Sequence, residues 1–503
     1  MKYFLGIDNG GTVSKAVLFD QAGKAVSTGS ENVPMITPKP GFTERDMDVL
    51  WDANVRAIRA AIENSGVDPA DIKGVSCTGH GKGIYLWGKD GRPAYNGIVS
   101  TDSRAWKIAQ QWRDDGVDEK IYGRTCQALL ACQPVSLVKW FMENAPSVLD
   151  NTRWIFEVKD YIRFRLTGEA FAEITDYSGS SMMNIVDVSF DKTIYEDLGI
   201  IDLTDMLPPM KRSDEMCGAI TQETAEATGL AAGTPVAGGM FDIDACAIAM
   251  NVISPEKMCV IAGTWSINEY VSKKPVTDGS VMMNSLFCIP GYYLIEECSP
   301  TSASNSEWYI GHFMEKEKDE CAKRGESIFD LADRMVESVA PEDQRIVFMP
   351  FIYGSNERDI AKASLIGIDS YHTKAHILRA VYEGIVFSHK THINKLLINN
   401  KGFEVIRFAG GAAKSRVWPQ IFADALGLPI EIIDTEELGA LGCAMAAAIA
   451  AGEYRDFAHA AQDMVAVKRR VEPDPAKKDI YEKKFADYSA VVAALDPVWE
   501  RLV

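Results

Sequence analysis

A carboxylate, two glycines and a hydroxyl stand close together near the N-terminus, in the order Asp8, Asn9, Gly10, Gly11 and Thr12. Glycines let backbone N–H groups approach a phosphate closely, and a threonine hydroxyl adds a further donor. A carboxylate does not bind phosphate directly, but it can hold Mg²⁺ together with water and phosphate oxygens. An ordinary hairpin is the alternative interpretation, because Asn-Gly is a favoured turn pair. The motif is neither a P-loop nor a G-x-G-x-x-G sequence.

Two further glycine motifs occur in the second half of the chain. Residues 263–266 read Gly-Thr-Trp-Ser, and this Gly-Thr pair begins 252 residues after Gly11, which is half the chain length. The spacing indicates an internal duplication of a strand–turn–strand unit. Two such phosphate turns at corresponding places indicate a nucleotide held between two domains. Gly410 and Gly411 open a predicted helix after a strand, where a helix dipole favours anions, although close strand–helix packing also explains them.

A second carboxylate of interest is Asp242, which follows the apolar segment 234–237 and a pair of glycines. An aspartate at the end of a strand could accept a proton from a substrate hydroxyl. The alternative is an N-cap for the helix that follows. Asp244 competes for either role, and Asp242 is preferred because it directly follows the strand and the glycines.

Polar side chains of mixed type occur at two places in the first half. His80 and Lys82 stand in a glycine-rich loop at the end of a predicted strand, and Thr101, Asp102 and Arg104 follow further along the chain. Such a mixture of donors and acceptors suits a polyhydroxylated ligand. For His80 the alternative is an ordinary surface histidine.

Apolar patterning predicts the elements that must position these residues. Strands are expected at residues 3–8, 13–19, 25–28, 72–78, 257–262, 267–271, 405–408 and 430–433, and helices at 46–64, 104–114, 136–144, 415–426 and 472–495. Ser415 is predicted to be the N-cap of its helix, with Gly427 just beyond the end. Strands alternate with helices, so the predicted class is α/β, with a division near residue 245.

Composition sets the broad class of protein. The 503 residues are 47% hydrophobic and 24% charged, as in ordinary globular domains. The net charge of −19 argues against a general affinity for nucleic acid or an anionic membrane. Ten cysteines without a C-x-x-C motif are predicted to be reduced core thiols. The longest apolar stretch, near 440–451, is shorter than the roughly 18 residues of a membrane span, and no signal peptide is evident, so a cytoplasmic location is expected.

In this order the motifs resemble the FGGY carbohydrate kinases of the actin/hexokinase/Hsp70-like superfamily. The segments that carry the resemblance, which extends over nearly the whole chain, are 6–12, 41–46, 96–104, 239–242, 263–266, 350–358, 363–368, 376–384 and 410–415. The resemblance implies two ribonuclease H-like domains that flank a nucleotide cleft. Domain 1–245 would contribute the sugar and phosphate side, and domain 246–503 the adenosine side.

The same resemblance implies ATP and Mg²⁺ as cofactors, Asp242 as the catalytic base, and Asp8 with Asp242 as metal ligands. The expected ATP-binding residues are Asn9, Gly10, Gly11, Thr12, Lys15, Gly263, Thr264, Gly410, Gly411, Ala412 and Ser415. The expected substrate-binding residues are His80, Lys82, Thr101, Asp102, Asp242 and Trp308. The implied partners are a small sugar and ATP, without nucleic acid or membrane, and a homodimer is left open.

Within the family, residues 79–83, 299–302 with Trp308, and 372–389 resemble the L-xylulose kinases. The implied reaction is ATP-dependent phosphorylation of a terminal hydroxyl of a ketopentose, with L-xylulose giving L-xylulose 5-phosphate. Ser100 stands where many members have tryptophan, and residues 80–82 differ from those usual in glycerol and D-xylulose kinases. Both departures disfavour glycerol. Another ketopentose, a polyol such as erythritol or glycerol, or a keto-hexonate stays as an alternative substrate.

Two classes of protein without sugar turnover are further alternatives. An ATP-driven assembly protein would share the phosphate turns but needs no substrate base and usually carries an extra binding module, which the sequence leaves no room for. A catalytically silent sugar sensor would lack Asp8 or Asp242, and both are present.

Overall fold

The computed structural model describes residues 1–358 and 360–502 of the chain. The described strands are β1 Tyr3–Asn9, β2 Val13–Asp20, β3 Ala25–Asn32, β4 Glu44–Arg45, β5 Ile72–Gly79, β6 Tyr85–Gly88, β7 Gly97–Ile98, β8 Thr152–Phe156, β9 Ala172–Glu173, β10 Met183–Asn184, β11 Ser189–Phe190, β12 Met210–Lys211, β13 Met216–Ala219, β14 Pro235–Ala237, β15 Met240–Phe241, β16 Lys257–Ala262, β17 Ser266–Ser272, β18 Met283–Leu286, β19 Tyr293–Ser299, β20 Val347–Met349, β21 Ser364–Ile366, β22 Val405–Ala409, β23 Ile430–Ile433 and β24 Val467–Val471. The described α-helices are α1 Met47–Ser65, α2 Trp106–Asp114, α3 Val117–Thr125, α4 Pro134–Asn144, α5 Pro146–Asn151, α6 Val158–Thr167, α7 Ile174–Ser178, α8 Lys192–Asp197, α9 Gln222–Thr228, α10 Asp242–Ala249, α11 Ser304–Phe313, α12 Glu315–Arg324, α13 Ile328–Glu337, α14 Lys374–Asn399, α15 Trp418–Leu426, α16 Leu438–Ala450, α17 Phe457–Met464 and α18 Lys478–Trp499.

These elements form two compact units, each with its own mixed sheet and helices, so the predicted two-domain α/β class is confirmed. Unit 1 comprises Met1–Ile253, Val271–Ile295 and Thr435–Ala466, and unit 2 comprises Ser254–Tyr270, Glu296–Asp434 and Val467–Val503. Part of the C-terminal half thus belongs to unit 1. The division near residue 245 stays a prediction.

The sheet of unit 1 has the order β13–β14–β5–β1–β2–β3, and β15 also pairs with β5. β1 runs antiparallel to β2 and parallel to β5. The buried apolar helix α16 packs on this sheet, which requires glycines in the strands. A Cβ at Gly6 would lie 1.9 Å from the carbonyl oxygen of Ala440, and one at Gly74 would lie 2.6 Å from that of Ala447. This close approach explains why residues 435–466 belong to unit 1.

In unit 2, β16 runs antiparallel to β17 and parallel to β22, as β1 does with β2 and β5. The strand–turn–strand unit predicted in each half is therefore confirmed. β23 continues this sheet parallel to β22, and β24 closes it antiparallel to β23. The long helix α14 is buried along much of its length, and it carries two buried histidines, His389 and His392.

The strand predictions are confirmed to within a few residues, but four helices begin two or more residues from the predicted position. α2 begins at Trp106 instead of 104, and α4 at Pro134 instead of 136. The final helix begins at Lys478 instead of 472, because prolines at 473 and 475 disfavour a helical conformation in the residues before them.

Ser415 is not the N-cap residue of α15, so this prediction is wrong. Val417 holds that position, and Pro419 in the first turn fixes the start of the helix. The Ser415 hydroxyl still accepts hydrogen bonds from the N–H groups of Val417 (3.1 Å) and Trp418 (3.0 Å).

The ten cysteines are reduced thiols, and all except Cys246 are buried, as predicted. Among the described helices, none combines the length and the apolar character needed to cross a bilayer.

Candidate functional site

The turn between β1 and β2 borders a cavity of about 170 Å³ in unit 1. The residues that line this cavity are Asp8, Gly10, Gly11, Thr12, Val13 and Lys15. A Cβ added at Gly11 would have no described atom within 4 Å, so a ligand can approach the backbone here. The open turn therefore has the form expected for a phosphate-binding loop.

Buried side chains hold this turn from the interior of unit 1. The Arg45 guanidinium is fully buried, and its Nη2 donates to the carbonyl oxygen of Gly10 at 2.9 Å. The Oδ1 atom of Asn9 accepts hydrogen bonds from Asn54 Nδ2 at 2.8 Å and from Ser14 Oγ at 3.0 Å. The Asn9 side chain thus anchors the turn from the interior, and its predicted contact with ATP stays a prediction. Sequence reasoning did not assign Arg45 or Asn54 to the site.

Asp8 lies beside the first turn of α16, where a glycine makes room for its carboxylate. A Cβ at Gly439 would lie 2.7 Å from Asp8 Oδ2. Burial raises the pKa of Asp8 to about 6, the Lys15 ammonium opposes this rise, and the Glu437 carboxylate adds to it. Lys15 itself is paired with Glu437, with 2.9 Å between Nζ and Oε2.

The few carboxylates around Asp8 suit Mg²⁺, which needs few protein ligands, better than a metal ion that is held by protein side chains alone. Within residues 1–358 and 360–502, no group of three or more His, Cys, Asp or Glu side chains is placed to hold a metal ion. Mg²⁺ needs only one or two carboxylates, because water and phosphate oxygens complete its coordination. Asp8 lines the cavity beside the open turn, and Asp242 belongs to the same unit.

Asp242 is positioned by a short strand that joins the edge of β5. β15 runs parallel to β5 with Phe241 opposite Gly79, and α10 begins at Asp242. Phe241 holds the N-cap position, so the alternative that Asp242 is the N-cap is wrong. Gly239 is required here, because its φ is 80° and a Cβ would lie 2.1 Å from the carbonyl oxygen of Cys77.

A buried polar network lies behind this strand. The backbone N–H of Phe241 donates to Thr175 Oγ1 at 2.9 Å, and the Thr175 hydroxyl donates to Glu173 Oε2 at 2.7 Å. Glu173 belongs to a fully buried cluster of charged residues, namely Glu157, Lys159, Asp160, Arg163, Glu173 and Asp176. Burial raises the pKa values of Glu157 and Asp176 well above their usual range. None of these residues was predicted to belong to the site, because only Lys159, Asp160 and Arg163 share one helix, α6, and the others lie on neighbouring segments.

The loop between β5 and β6 packs against the same strand. A Cβ at Gly81 would lie 2.2 Å from the ring of Phe241. Lys82 Nζ lies 5.8 Å from the centroid of that ring and 3.4 Å from Met283 Sδ. Because Phe241 directly precedes Asp242, the structure brings the loop with His80 and Lys82 next to the proposed base.

His80 is buried in this loop. Its Nε2 lies 3.0 Å from the hydroxyl of Tyr85. Burial and the nearby Arg45 guanidinium lower the pKa of His80 to about 3, so the imidazole is neutral. A neutral imidazole can offer a polar group to a sugar hydroxyl without adding charge.

Asp102 is already engaged by its own neighbours. Its carboxylate accepts hydrogen bonds from Arg104 Nη2 at 2.8 Å and from the backbone N–H of Thr43 at 2.7 Å. Arg104 also binds Glu44 at 2.7 Å, and all three charged side chains are buried. Asp102 thus stabilises the loop that contains it. Thr101 is exposed beside it, and the predicted sugar contacts of both residues stay predictions.

In unit 2, the turn between β16 and β17 is open in the same way as the first one. Gly263 has no described atom within 4 Å of an added Cβ. Gly410 has a φ of 90°, and a Cβ there would lie 2.6 Å from the carbonyl of Ala262. Gly410 therefore packs closely against the end of β16, which agrees with the alternative that this glycine is needed for packing. Gly411 begins a 3₁₀ turn, in which Ala412 is buried.

Two other predicted residues of unit 2 have structural partners. Ser415 Oγ donates to Asp333 Oδ1 at 2.8 Å. Trp308, on α11, stacks on His312 with 5.0 Å between the ring centroids. The predicted ATP contact of Ser415 and the predicted sugar contact of Trp308 stay predictions.

Comparison with protein families identifies the class to which this fold and site belong. The model of the N-terminal domain of the FGGY family of carbohydrate kinases matches residues 3–249, and that of the C-terminal domain matches residues 258–451. The chain therefore belongs to the FGGY family of carbohydrate kinases, as the motifs indicated.

Curated relatives cover the whole chain. The chain is 35% identical to the L-xylulose/3-keto-L-gulonate kinase of Escherichia coli K12, over 100% of this chain and 99% of that protein. It is 36% identical to the probable L-xylulose kinase of Pasteurella multocida, over 98% of this chain and 99% of that protein. At 25% identity, over 98% of this chain and 94% of the relative, it is also similar to the autoinducer-2 kinase of an Enterobacter strain.

Solved structures show the same fold. The xylulose kinase of Lactobacillus acidophilus superimposes with a TM-score of 0.91 at 23% identity, over 100% of both chains. The gluconate kinase of the same organism gives 0.90 at 24% identity, also over 100% of both chains. These neighbours differ in their named sugars, so the fold does not define the substrate.

Proposed function

We propose that the protein transfers the γ-phosphoryl group of ATP to a terminal hydroxyl of a ketopentose, and that L-xylulose, giving L-xylulose 5-phosphate, is its substrate. The observation that carries this proposal is the arrangement within unit 1. Asp242 directly follows Phe241, and the loop with His80 and Lys82 packs on the Phe241 ring. Phosphoryl transfer depends mainly on positioning and electrostatic stabilisation, and a sugar loop beside a carboxylate provides the first of these.

In this proposal the side chains have distinct tasks. Asp242 accepts the proton of the attacking hydroxyl. His80 and Lys82, together with Thr101, Asp102 and Trp308, are assigned to the sugar by the family resemblance. Bound Mg²⁺ would neutralise charge that develops on the phosphate oxygens. Asp8 and Asp242 would hold this ion, partly through water. The partly buried Asp8 carboxylate, which lines the cavity beside the open turn, supports this assignment.

ATP recognition is proposed for residues of both units. The residues of unit 1 are Asn9, Gly10, Gly11, Thr12 and Lys15, and those of unit 2 are Gly263, Thr264, Gly410, Gly411, Ala412 and Ser415. The open backbone at Gly11 and at Gly263 supports phosphate binding by the two turns. For Ser415, whose hydroxyl already bonds to Asp333, the resemblance is the only support.

The second candidate substrate is a keto-hexonate. One relative carries 3-keto-L-gulonate in its name beside L-xylulose. Lys82 favours this candidate, because its ammonium lies beside the residue that precedes the base and could pair with a sugar carboxylate.

The test is a coupled ADP-release assay with MgATP and a panel of acceptors. The panel contains L-xylulose, D-xylulose, L-ribulose, D-ribulose, erythritol, glycerol, L-lyxose and 3-keto-L-gulonate. The highest kcat/KM is expected for L-xylulose. A higher value for another acceptor would keep the kinase mechanism and change the substrate.

If no acceptor in the panel is phosphorylated, a second measurement is needed to interpret the result. Calorimetric titration with MgADP would then show whether the nucleotide binds without turnover. Nucleotide binding with no acceptor phosphorylated would overturn the ketopentose proposal and favour a sensor. A cytoplasmic location and a homodimer are proposed alongside, and cell fractionation and sedimentation velocity test them.

A further inference from the structure

A histidine outside every predicted site joins three side chains in the core of unit 2. His389 lies on α14 and is fully buried. Its Nδ1 lies 3.0 Å from Ser266 Oγ and 2.8 Å from Asn268 Oδ1, and its Nε2 lies 2.8 Å from Ser302 Oγ. Both ring nitrogens therefore have polar partners, so the imidazole can adopt a single fixed orientation.

The hydrogen bonds around the ring define which nitrogen carries the proton. The amide nitrogen of Asn268 donates to the carbonyl oxygen of Glu297 at 3.1 Å, so its Oδ1 atom faces the imidazole. Oδ1 can only accept, so Nδ1 of His389 must be the donor. Nε2 is then the acceptor, and the Ser302 hydroxyl donates to it. This tautomer satisfies both ring nitrogens without any charge.

The imidazole remains neutral because of its surroundings. Burial, together with the nearby His392, lowers the pKa of His389 to about 3. Protonation would turn Nε2 into a donor and deprive the Ser302 hydroxyl of its acceptor. The geometry is thus that of a fixed connection between segments and not of a pH-dependent switch.

The partners of His389 lie on two segments that contact the turn at residues 263–265, namely β17 and the segment before α11. Ser266 is the first residue of β17, directly after this turn. Ser302 lies just before α11, whose first residue, Ser304, donates from its hydroxyl to the carbonyl oxygen of Thr264 at 3.2 Å. One imidazole therefore connects the strand that leaves the turn to the segment that holds the Thr264 carbonyl.

We infer that His389 is a positioning residue for the 263–266 turn, which it holds in the conformation that directs the Gly263 and Thr264 donors at phosphate oxygens. This inference rests on the proposed function, because it assumes that the turn binds the phosphates of ATP. Catalysis by fixed donors is sensitive to their placement, and a misplacement of about 1 Å can reduce a rate roughly 100-fold.

The experiment compares three variants of the full-length protein. His389→Leu removes both polar ring atoms. His389→Gln keeps one donor and one acceptor at a similar reach, so it should restore part of the loss. His392→Gln is the matched control on the same helix: His392 is equally buried, but its Nδ1 contacts the carboxylate of Glu297 at 2.8 Å instead of a side chain beside the turn.

For His389→Leu, kcat is expected to fall about 10- to 100-fold, and the affinity for MgADP by calorimetry is expected to fall as well. The KM for the sugar should change less than kcat, because His80, Lys82 and Asp242 belong to unit 1 and only Trp308 among the proposed sugar contacts lies in unit 2. His389→Gln should lie between His389→Leu and the wild type. His392→Gln should retain nearly wild-type kcat and MgADP affinity.

Equal losses in His389→Leu and His392→Gln would overturn the inference, since they would indicate a general effect on unit 2. Unchanged kcat and MgADP affinity in His389→Leu would also overturn it. A different result would contradict the proposed function: the wild-type protein would phosphorylate no acceptor in the panel. MgADP titration of the same variants would still test His389 in that case.

Discussion

The carboxylate of Asp244 accepts a hydrogen bond from the backbone N–H of Cys288, with 2.9 Å between Oδ1 and the nitrogen. Asp244 is fully buried, whereas Asp242, two residues earlier, is partly exposed at the start of α10. The two aspartates that compete in the sequence therefore have different surroundings. Asp244 holds the segment around Cys288, and Asp242 is the more accessible of the two carboxylates.

This difference predicts opposite effects of substitution. Asp242→Asn should fold normally and lose about 100-fold or more in kcat, because an amide cannot accept the hydroxyl proton. Asp244→Ala should instead lower the free energy of unfolding by about 1–3 kcal/mol, because it leaves the Cys288 N–H without this acceptor. Steady-state kinetics and urea unfolding of both variants measure the two effects. Normal turnover by Asp242→Asn, or a stable but inactive Asp244→Ala, would contradict the assignment.

A second prediction concerns the glycine that lets β15 approach β5. Gly239→Ala should destabilise unit 1 by clearly more than the roughly 1–2 kcal/mol that a left-handed backbone costs, because the new Cβ would lie 2.1 Å from the Cys77 carbonyl oxygen. Gly233→Ala is the control, with a similar φ of 85° and no described atom within 4 Å of the added Cβ. Urea unfolding compares the two variants. Equal stabilities would show that the approach of the strands does not require the glycine.

The elements of the fold could be predicted well from local patterns, since strand and helix periodicities depend on neighbouring residues. The assignment of residues 435–466 to unit 1 could not be predicted from such local patterns. It depends on the contacts of Gly6 and Gly74 with helix carbonyls more than 350 residues away in sequence, at Ala440 and Ala447. A glycine in a strand gives no local signal of which helix will approach it.

The site was predictable in part for the same reason. Motifs indicated Asp8, Asp242 and the two turns, because glycines and carboxylates are recognisable in sequence. The residues that hold these groups, such as Thr175 beneath Phe241 and His389 beside Ser266, give no such signal. Their contacts join segments that are 66 and 123 residues apart in the chain.

A third prediction follows from the low pKa of His389, which is about 3 in the folded protein. An exposed histidine in the unfolded chain has a pKa of about 6.5, so the unfolded state binds the proton more tightly. The contribution of His389 to stability is therefore complete above pH 6.5 and decreases as the pH falls towards 3. The slope is about 1.4 kcal/mol per pH unit, which gives a loss of about 2 kcal/mol between pH 6.5 and 5.

This loss should disappear in His389→Gln, whose amide does not titrate. The difference in unfolding free energy between the wild type and this variant should therefore shrink by about 2 kcal/mol from pH 6.5 to 5. His459→Gln is the control, because this imidazole is exposed on α17 and lies outside the His389 network. Urea unfolding at a series of pH values measures both differences. A difference for His389→Gln that does not change with pH would mean that the folded and unfolded states bind the proton equally well, which would contradict the lowered pKa of His389.

The last prediction separates a keto-hexonate from a ketopentose as the substrate. Lys82 has a left-handed backbone with φ of 63°, and its ammonium lies 5.8 Å from the centroid of the Phe241 ring. If this ammonium pairs with a sugar carboxylate, Lys82→Met should lower kcat/KM for a keto-hexonate about 10- to 100-fold more than for the ketopentose, since a hydrogen bond to a charged group contributes about 1.5–3 kcal/mol. Methionine keeps the length and apolar stem of the side chain, so packing changes little.

Steady-state kinetics on the two acceptors with the same protein preparation makes each acceptor the control for the other. Equal losses for both acceptors would mean that Lys82 contacts a group that the two sugars share, such as a hydroxyl or the keto oxygen.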